Sequence, residues 1–252
     1  MYKYCVSGFK NIIIGKNTYI SPSAKIYDNV VIGDNNKIFD DVIIYPNTII
    51  GNNNIIYNRN IIGEIPIQSN GTYQDNDYSK TFGVKIGNNN FFHVNNIIFA
   101  GSIKYTEIMN NNKLLSESHI DHDVIIHNNC TLYPQVTFAG HSECLDNSNI
   151  GGRAFVSQKK IIGQYSMVGG SQLVAKNVFP YFIYINNKIT RFNTIKLPKY
   201  IKDSDFEVLV KLGNYFYSNK KLDKELFNTE LLKTKIEKNI YDEISYFINK
   251  II

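Results

Sequence analysis

The chain has 252 residues, 43% hydrophobic content and a formal net charge of +5, enough for one large domain with a small appendage. Its Lys and Arg residues are spread thinly, without the dense basic block that tracks a nucleic-acid backbone, and no apolar run reaches membrane-spanning length. Cys5, Cys130 and Cys144 make no metal-like spacing and no disulfide framework, and the first residues lack a basic-then-apolar leader, so a cytoplasmic protein without transmembrane segment is expected.

From Ile14 every sixth residue is the same: Ile14, Ile20, Ile26, Ile32, Ile38, Ile44, Ile50, Ile56 and Ile62. Six residues fit one short strand and a corner, with one apolar side chain pointing inward. Gly15, Gly33 and Gly51 recur every eighteen residues, so three such faces close one coil. Asn-rich runs such as Asn52-Asn53-Asn54 supply the corners. The register stops after Gly63, resumes at Ile86, Phe92 and Ile98, and returns from Ile120 through Ile126, Leu132, Phe138, Cys144, Ile150, Val156, Ile162 and Val168 to Val174. The polar stretches 64–84 and 101–115 read as loops ejected from the prism, and long loops on a rigid scaffold often carry function. Cys144 falls on the core register and reads as a small buried hydrophobe. This hexad pattern resembles the left-handed parallel β-helix of the hexapeptide-repeat transferases, and the handedness comes from that resemblance.

After Val174 the repeat ends, and residues 175–200, with Pro180 and Pro198, read as irregular chain. From Ser204 the apolar spacing turns helical: Phe206, Leu209, Leu212 and Phe216, then Leu231, Ile236, Ile240, Ile244 and Phe247. Asp203 or Ser204 caps the first helix and Ser218-Asn219 ends it. The expected organisation is a β-helix domain over 1–183, a connector over 184–202 and a helical region over 203–252.

Residues eighteen apart stack on one another. His122, Gly140 and Gln158 form one column, and Asp123, His141 and Lys159 the next. Acyl transfer needs a base near neutral pH, and a histidine serves. His122 is the candidate base, Asp123 the residue that fixes its tautomer, and the Gly140 N–H the candidate oxyanion donor. Successive residues of a strand point to opposite faces, so contact between His122 and Asp123 depends on the corner. Four of the five histidines fall between positions 119 and 141.

His119-Ile120-Asp121-His122-Asp123 and Ala139-Gly140-His141 resemble the His-x-x-His-Asp and Ala-Gly-His segments of the UDP-N-acetylglucosamine acyltransferases of lipid A synthesis. Ile150-Gly151-Gly152, Val168-Gly169-Gly170 and Val178-Phe179-Pro180-Tyr181 continue the likeness. The resemblance implies a homotrimer with sites in clefts between prisms, an acyl-carrier-protein or coenzyme A thioester as donor, a nucleotide-sugar acceptor, and no metal or tightly bound cofactor. It implies His122 as base with Asp123 beside it, Gly140 in the oxyanion hole, and His119, His141 and Gln158 lining the cleft. Gly170 matches the position that limits acyl length, and Gln68-Ser69 stands where the family carries Gln-Asp. Ser157 replaces a family histidine, and the family's Thr-Ile-x-Arg-Gly-Thr run reads Ile97-Ile98-Phe99-Ala100-Gly101-Ser102. These departures keep open an alternative, N-acylation of a nucleotide-linked amino-deoxysugar. Two other classes stand beside acyl transfer. One is a zinc enzyme of the carbonic anhydrase type, using His122 and His127 with His93. The other is a non-catalytic binding module.

Overall fold

Most hexads fold as a two-residue strand whose second residue faces in, as in Lys37–Ile38, Ile43–Ile44 and Ile55–Ile56. The inward Ile38, Ile44, Ile56 and Ile62 are fully buried. Between strands the chain turns through a left-handed residue that is seldom glycine: Asn17, Asn35, Asn53, Asn89 and Asn111 all have φ between 55° and 59°. Asparagine tolerates that region better than other side chains, which explains much of the asparagine bias.

A computed structural model describes residues 11–66, 78–186, 188–193, 195–218 and 237–251. It is a parallel solenoid of about nine turns. Its three faces are sheets of eight, ten and eight strands, and through the coils consecutive strands go to different sheets. Residues eighteen apart pair in register, as Ile13 with Val31 and His119 with Thr137. The core is one continuous column from Ile20 to Tyr184, each coil buried only by its neighbours.

At one corner the backbone donors are paired by an asparagine ladder. Asn36 Oδ1 accepts from the N–H and side-chain amide of Asn54, and Asn54 Oδ1 accepts from those of Asn90. Asn90 Oδ1 takes the Asn112 N–H, and Asn112 Oδ1 the Cys130 N–H. These asparagines are 0–1% exposed, and the ladder lets a dry corner keep its backbone donors paired.

Of the two expected loops, residues 67–77 of the first lie outside the described residues, and the second differs from the sequence reading. Around the first, Asn52 and Asn88 stack with a separation of 36 instead of 18. Strand Val84–Ile86 already belongs to the coil. Around the second, Asn88 and Asn110 stack with a separation of 22. The stretch 101–115 is therefore not one ejected loop. Thr106–Ile108 and Lys113–Leu114 are coil strands, and Ile108 and Leu114 are buried in the core. Only the short turn before Thr106 is extra.

The stretch expected to be irregular after Val174 also contains order. Phe182–Ile185 pairs in parallel with Met167–Val168, and Lys188–Phe192 folds back against it antiparallel. Aromatic packing takes over from the hexad there: Phe179, Tyr181 and Tyr184 are fully buried. Helix α1 spans Asp203–Ser218 and helix α2 spans Lys238–Ile251. Leu209 and Leu212 of α1 and Ile240, Ile244, Phe247 and Ile248 of α2 share a second core with Leu145, Ile161, Phe179 and Phe182 of the solenoid. The helices thus pack on the outside and C-terminal end of the stack. Lys250 of α2 fixes the contact by an ion pair to Glu143 at 2.5 Å.

Candidate active site

The third face delivers strand His119–Ile120 into the corner that holds His122 and Asp123. Asp123 is the left-handed residue of that corner (φ 60°), and His141 holds the same place one coil on (φ 61°). The corner removes the strand alternation, so adjacent residues meet: His122 Nδ1 lies 2.7 Å from Asp123 Oδ2. Asp123 is buried and the His122 side chain is 19% exposed.

Four residues that the sequence reading assigned no role complete this geometry. The turn after Gly101 folds three successive N–H groups, from Ser102, Ile103 and Lys104, onto Asp123 Oδ1 at 3.0, 2.9 and 2.9 Å. The Ser102 hydroxyl donates to Oδ2, and Thr106 Oγ1 accepts the Asp123 N–H. Such a nest of amides binds an anion. Only glycine fits at its start, because a Cβ on Gly101 would sit 1.6 Å from the Lys104 carbonyl oxygen. Burial pushes the Asp123 carboxyl up, but donors from Ser102, His122, Ile103 and Lys104 outweigh it and hold it at about 2. The group is an anion at any physiological pH and can only accept. His122 Nδ1 therefore carries the proton of that bond, and Nε2 is the basic nitrogen.

Gly140 lies against that ring. A Cβ there would come within 2.7 Å of His122 Cε1 and Nε2, so glycine makes room for the histidine. The Gly140 carbonyl accepts the Lys159 N–H at 3.1 Å. His141 meets His122 edge to face, with ring centroids 4.9 Å apart, and its Nδ1 is 3.7 Å from Asp123 Oδ2. Burial lowers the His141 pKa, Asp123 works against that, and His122, Lys159 and Lys104 add to the lowering. His141 is thus a neutral polar group at neutral pH.

Other expected residues fall less close. His119 packs on Phe99, centroids 5.0 Å apart, on the outer side of the third face. Gln158 continues the His122 column and is exposed. Gly170 is on a different edge, the corner between second and third faces, stacked over Gly152. Within one chain the structure does not bring it to His122. Gln68 and Ser69 lie outside the described residues.

The zinc alternative would draw His93, His122 and His127 together across a subunit interface, since within one chain they follow strands of three different sheets. His127 Nε2 is engaged by Glu143 at 2.5 Å, and the residue is 9% exposed. His122, Asp123 and His141 do place ligand atoms within 4.8 Å of one another, but the oxygens of Asp123 are already filled by N–H and O–H donors.

The signal that would have found the Ser102 turn is arithmetic. Counted back from Ile120, the hexad includes Leu114 and Ile108 and then fails, which confines the defect to the residues just before Thr106.

A parallel three-sided coil with this periodicity has the left-handed β-helix architecture of its structural neighbours, and residues 11–38 match the profile "Bacterial transferase hexapeptide (six repeats)". Within that class its likeness is to the UDP-N-acetylglucosamine acyltransferases. The crystal structure of the enzyme from Bacteroides fragilis superposes with a TM-score of 0.82 at 27% identity, covering 95% of this chain and 93% of that one. The enzyme from Francisella novicida gives 0.77 at 26% identity, covering 95% and 90%. A curated acyl-[acyl-carrier-protein]–UDP-N-acetylglucosamine O-acyltransferase from Nautilia profundicola is 41% identical over 106 residues, a stretch that spans 41% of each chain.

Proposed function

We propose that this protein is an acyltransferase that moves an acyl group from an acyl-carrier-protein thioester to the sugar 3-hydroxyl of UDP-N-acetylglucosamine. The observation that carries the reading is the His122–Asp123 pair, with Nδ1 tied to a carboxylate held near pKa 2 and Nε2 against Gly140. The names of the Bacteroides and Nautilia proteins supply the substrates.

His122 Nε2 takes the proton of the acceptor hydroxyl as its oxygen attacks the thioester carbonyl. Asp123 stabilises the imidazolium that forms. The oxyanion of the tetrahedral intermediate takes the Gly140 N–H, which has no hydrogen-bond partner among the described residues. Collapse breaks the carbon–sulfur bond, and the leaving thiolate receives the proton from His122. His141, neutral, donates to or accepts from the sugar, and His119 and Gln158 line the cleft. This chemistry calls for no metal and no tightly bound cofactor.

His122 and Gly170 lie on different edges of one prism. A site that uses both needs a neighbouring chain, which supports the homotrimer. Among the described residues no helix is long and apolar enough to cross a membrane, which suits an enzyme that meets a carrier protein in the cytoplasm.

The test is thiol release from hydroxyacyl-carrier-protein thioesters with UDP-N-acetylglucosamine, the product identified by mass. An ester on the sugar supports the reading, and His122→Ala should then lower kcat by roughly 10²–10⁴. An amide on an amino-deoxysugar nucleotide, with indifference to His122→Ala, would transfer the site to N-acylation. No transfer to any acceptor would leave a binding module.

A further inference from the structure

We infer that Ser102 is a positioning residue of the His122–Asp123 pair, its hydroxyl setting how strongly Asp123 holds His122. This rests on His122 as the base of the proposed transfer. The two carboxylate oxygens have different duties. Oδ1 is filled by three backbone N–H groups that no side-chain substitution removes. Oδ2 has two donors, the Ser102 hydroxyl and His122 Nδ1. Ser102 therefore competes with His122 for the same oxygen. Its Oγ is also 3.4 Å from His122 Nδ1, so it fills the space into which the ring would tilt.

Two effects follow, of different sign and separable. Without the hydroxyl, Oδ2 keeps more of its charge for the imidazolium, so His122 becomes harder to deprotonate. Without its bulk, the ring loses one wall, and rate falls while acceptor binding stays. The charged and titratable groups around the His122–His141 pair are Asp121 and Asp123 on the same corner, His141 and Lys159 from the next two coils, and Lys104 from the extra turn. None of them shares Oδ2 as Ser102 does: His141 stands off at 3.7 Å.

The experiment compares Ser102→Thr with Ser102→Val, near-isosteres that differ in the hydroxyl, with Ser102→Ala as a third variant. Ring titrations of His122 are followed by NMR in the full-length protein, which needs no substrate. In parallel, kcat and KM are taken against pH. The Val and Ala proteins should show the His122 titration raised by about half a unit to one unit. The acid limb of kcat should move with it, and in the Ala protein, which alone removes the bulk, kcat should fall about tenfold at unchanged KM. Thr should restore all three. If Val and Thr titrate alike, the inference is overturned, whatever their rates. If the titration moves as stated but no acceptor is acylated even by the unsubstituted protein, the positioning stands and the acyl-transfer reading falls. Loss of rate in Val and Ala with an unmoved titration would mean a purely structural residue and would also overturn it.

Discussion

Gly140→Ala isolates the contact between the base and the coil above it. An alanine Cβ would lie 2.7 Å from His122 Cε1 and Nε2 and 3.3 Å from Nδ1. Carbon contacts are comfortable from about 3.5 Å, so the ring must retreat by about 0.8 Å or swing aside. Either movement stretches the 2.7 Å bond to Asp123 and takes Nε2 off the line of proton transfer. A displacement of that size costs on the order of 10²-fold in rate. The backbone at Gly140 is not left-handed, so alanine adds no backbone strain, and the N–H proposed for the oxyanion remains. The loss should therefore appear in kcat, with the melting temperature almost unmoved. The decisive assay is a double-mutant cycle with His122→Ala, in which the alanine at position 140 has no ring to displace and should cost almost nothing more. Wild-type kcat in Gly140→Ala would refute the contact. An equal loss in both backgrounds would refute its transmission through the ring.

Asp123→Asn keeps a residue at ease in the left-handed region but puts an amide N–H₂ or a weaker oxygen opposite His122. The wrong tautomer should lower kcat by roughly 10³–10⁴. The same substitution should change acid stability. The Asp123 pKa is about 2 when folded against an ordinary 3.8, so its contribution of about 2 kcal/mol is complete above pH 4 and is lost as pH falls toward 2. Urea unfolding against pH should show that acid-dependent component in the wild type and not in the Asn variant. Gly170→Met should shorten the accepted acyl chain. The position is exposed, and a Cβ there meets nothing closer than the Gly152 carbonyl at 3.3 Å, so the protein should fold normally, and an unchanged chain preference would place the channel elsewhere. Asn54→Ala should lower stability by about 2–4 kcal/mol, because it strands the Asn90 N–H and the Gly87 carbonyl at a dry corner while the backbone N–H of residue 54 still reaches Asn36 Oδ1; a change under half a kcal/mol would mean water replaces the ladder.

Ile14 to Ile62 announced the prism because a β-helix writes its period directly into one inward residue per face. His122, Gly140, Asp123 and His141 could be stacked on paper for the same reason. What the spacing could not show was the Asp123 cradle. Its donors are backbone N–H groups, which carry no residue signature, and only Gly101 and Ser102 leave a trace in the letters. The strands at Thr106–Ile108 and Lys113–Leu114 are hidden from a forward count because the register defect lies between Ile98 and Ile108, and only a count backward from Ile120 reaches them. The hairpin of Phe182–Ile185 and Lys188–Phe192 has no hexad at all, since Tyr181 and Tyr184 fill the space with rings. The second core against α1 and α2 depends on which outer residues, Leu145 and Ile161 among them, receive a helix, and a helical period alone does not name its partner.

A parallel stack has no natural last rung: its final coil offers the same open amides and carbonyls as every coil before it. In this chain the second face stops because Lys188–Phe192 runs the other way. A reversed strand no longer continues the coil's register, and the helices pack against the rings behind it. The hairpin is thus a terminator of growth. It covers the open edge of the second face at this end of the prism, the edge to which another chain could otherwise add a coil.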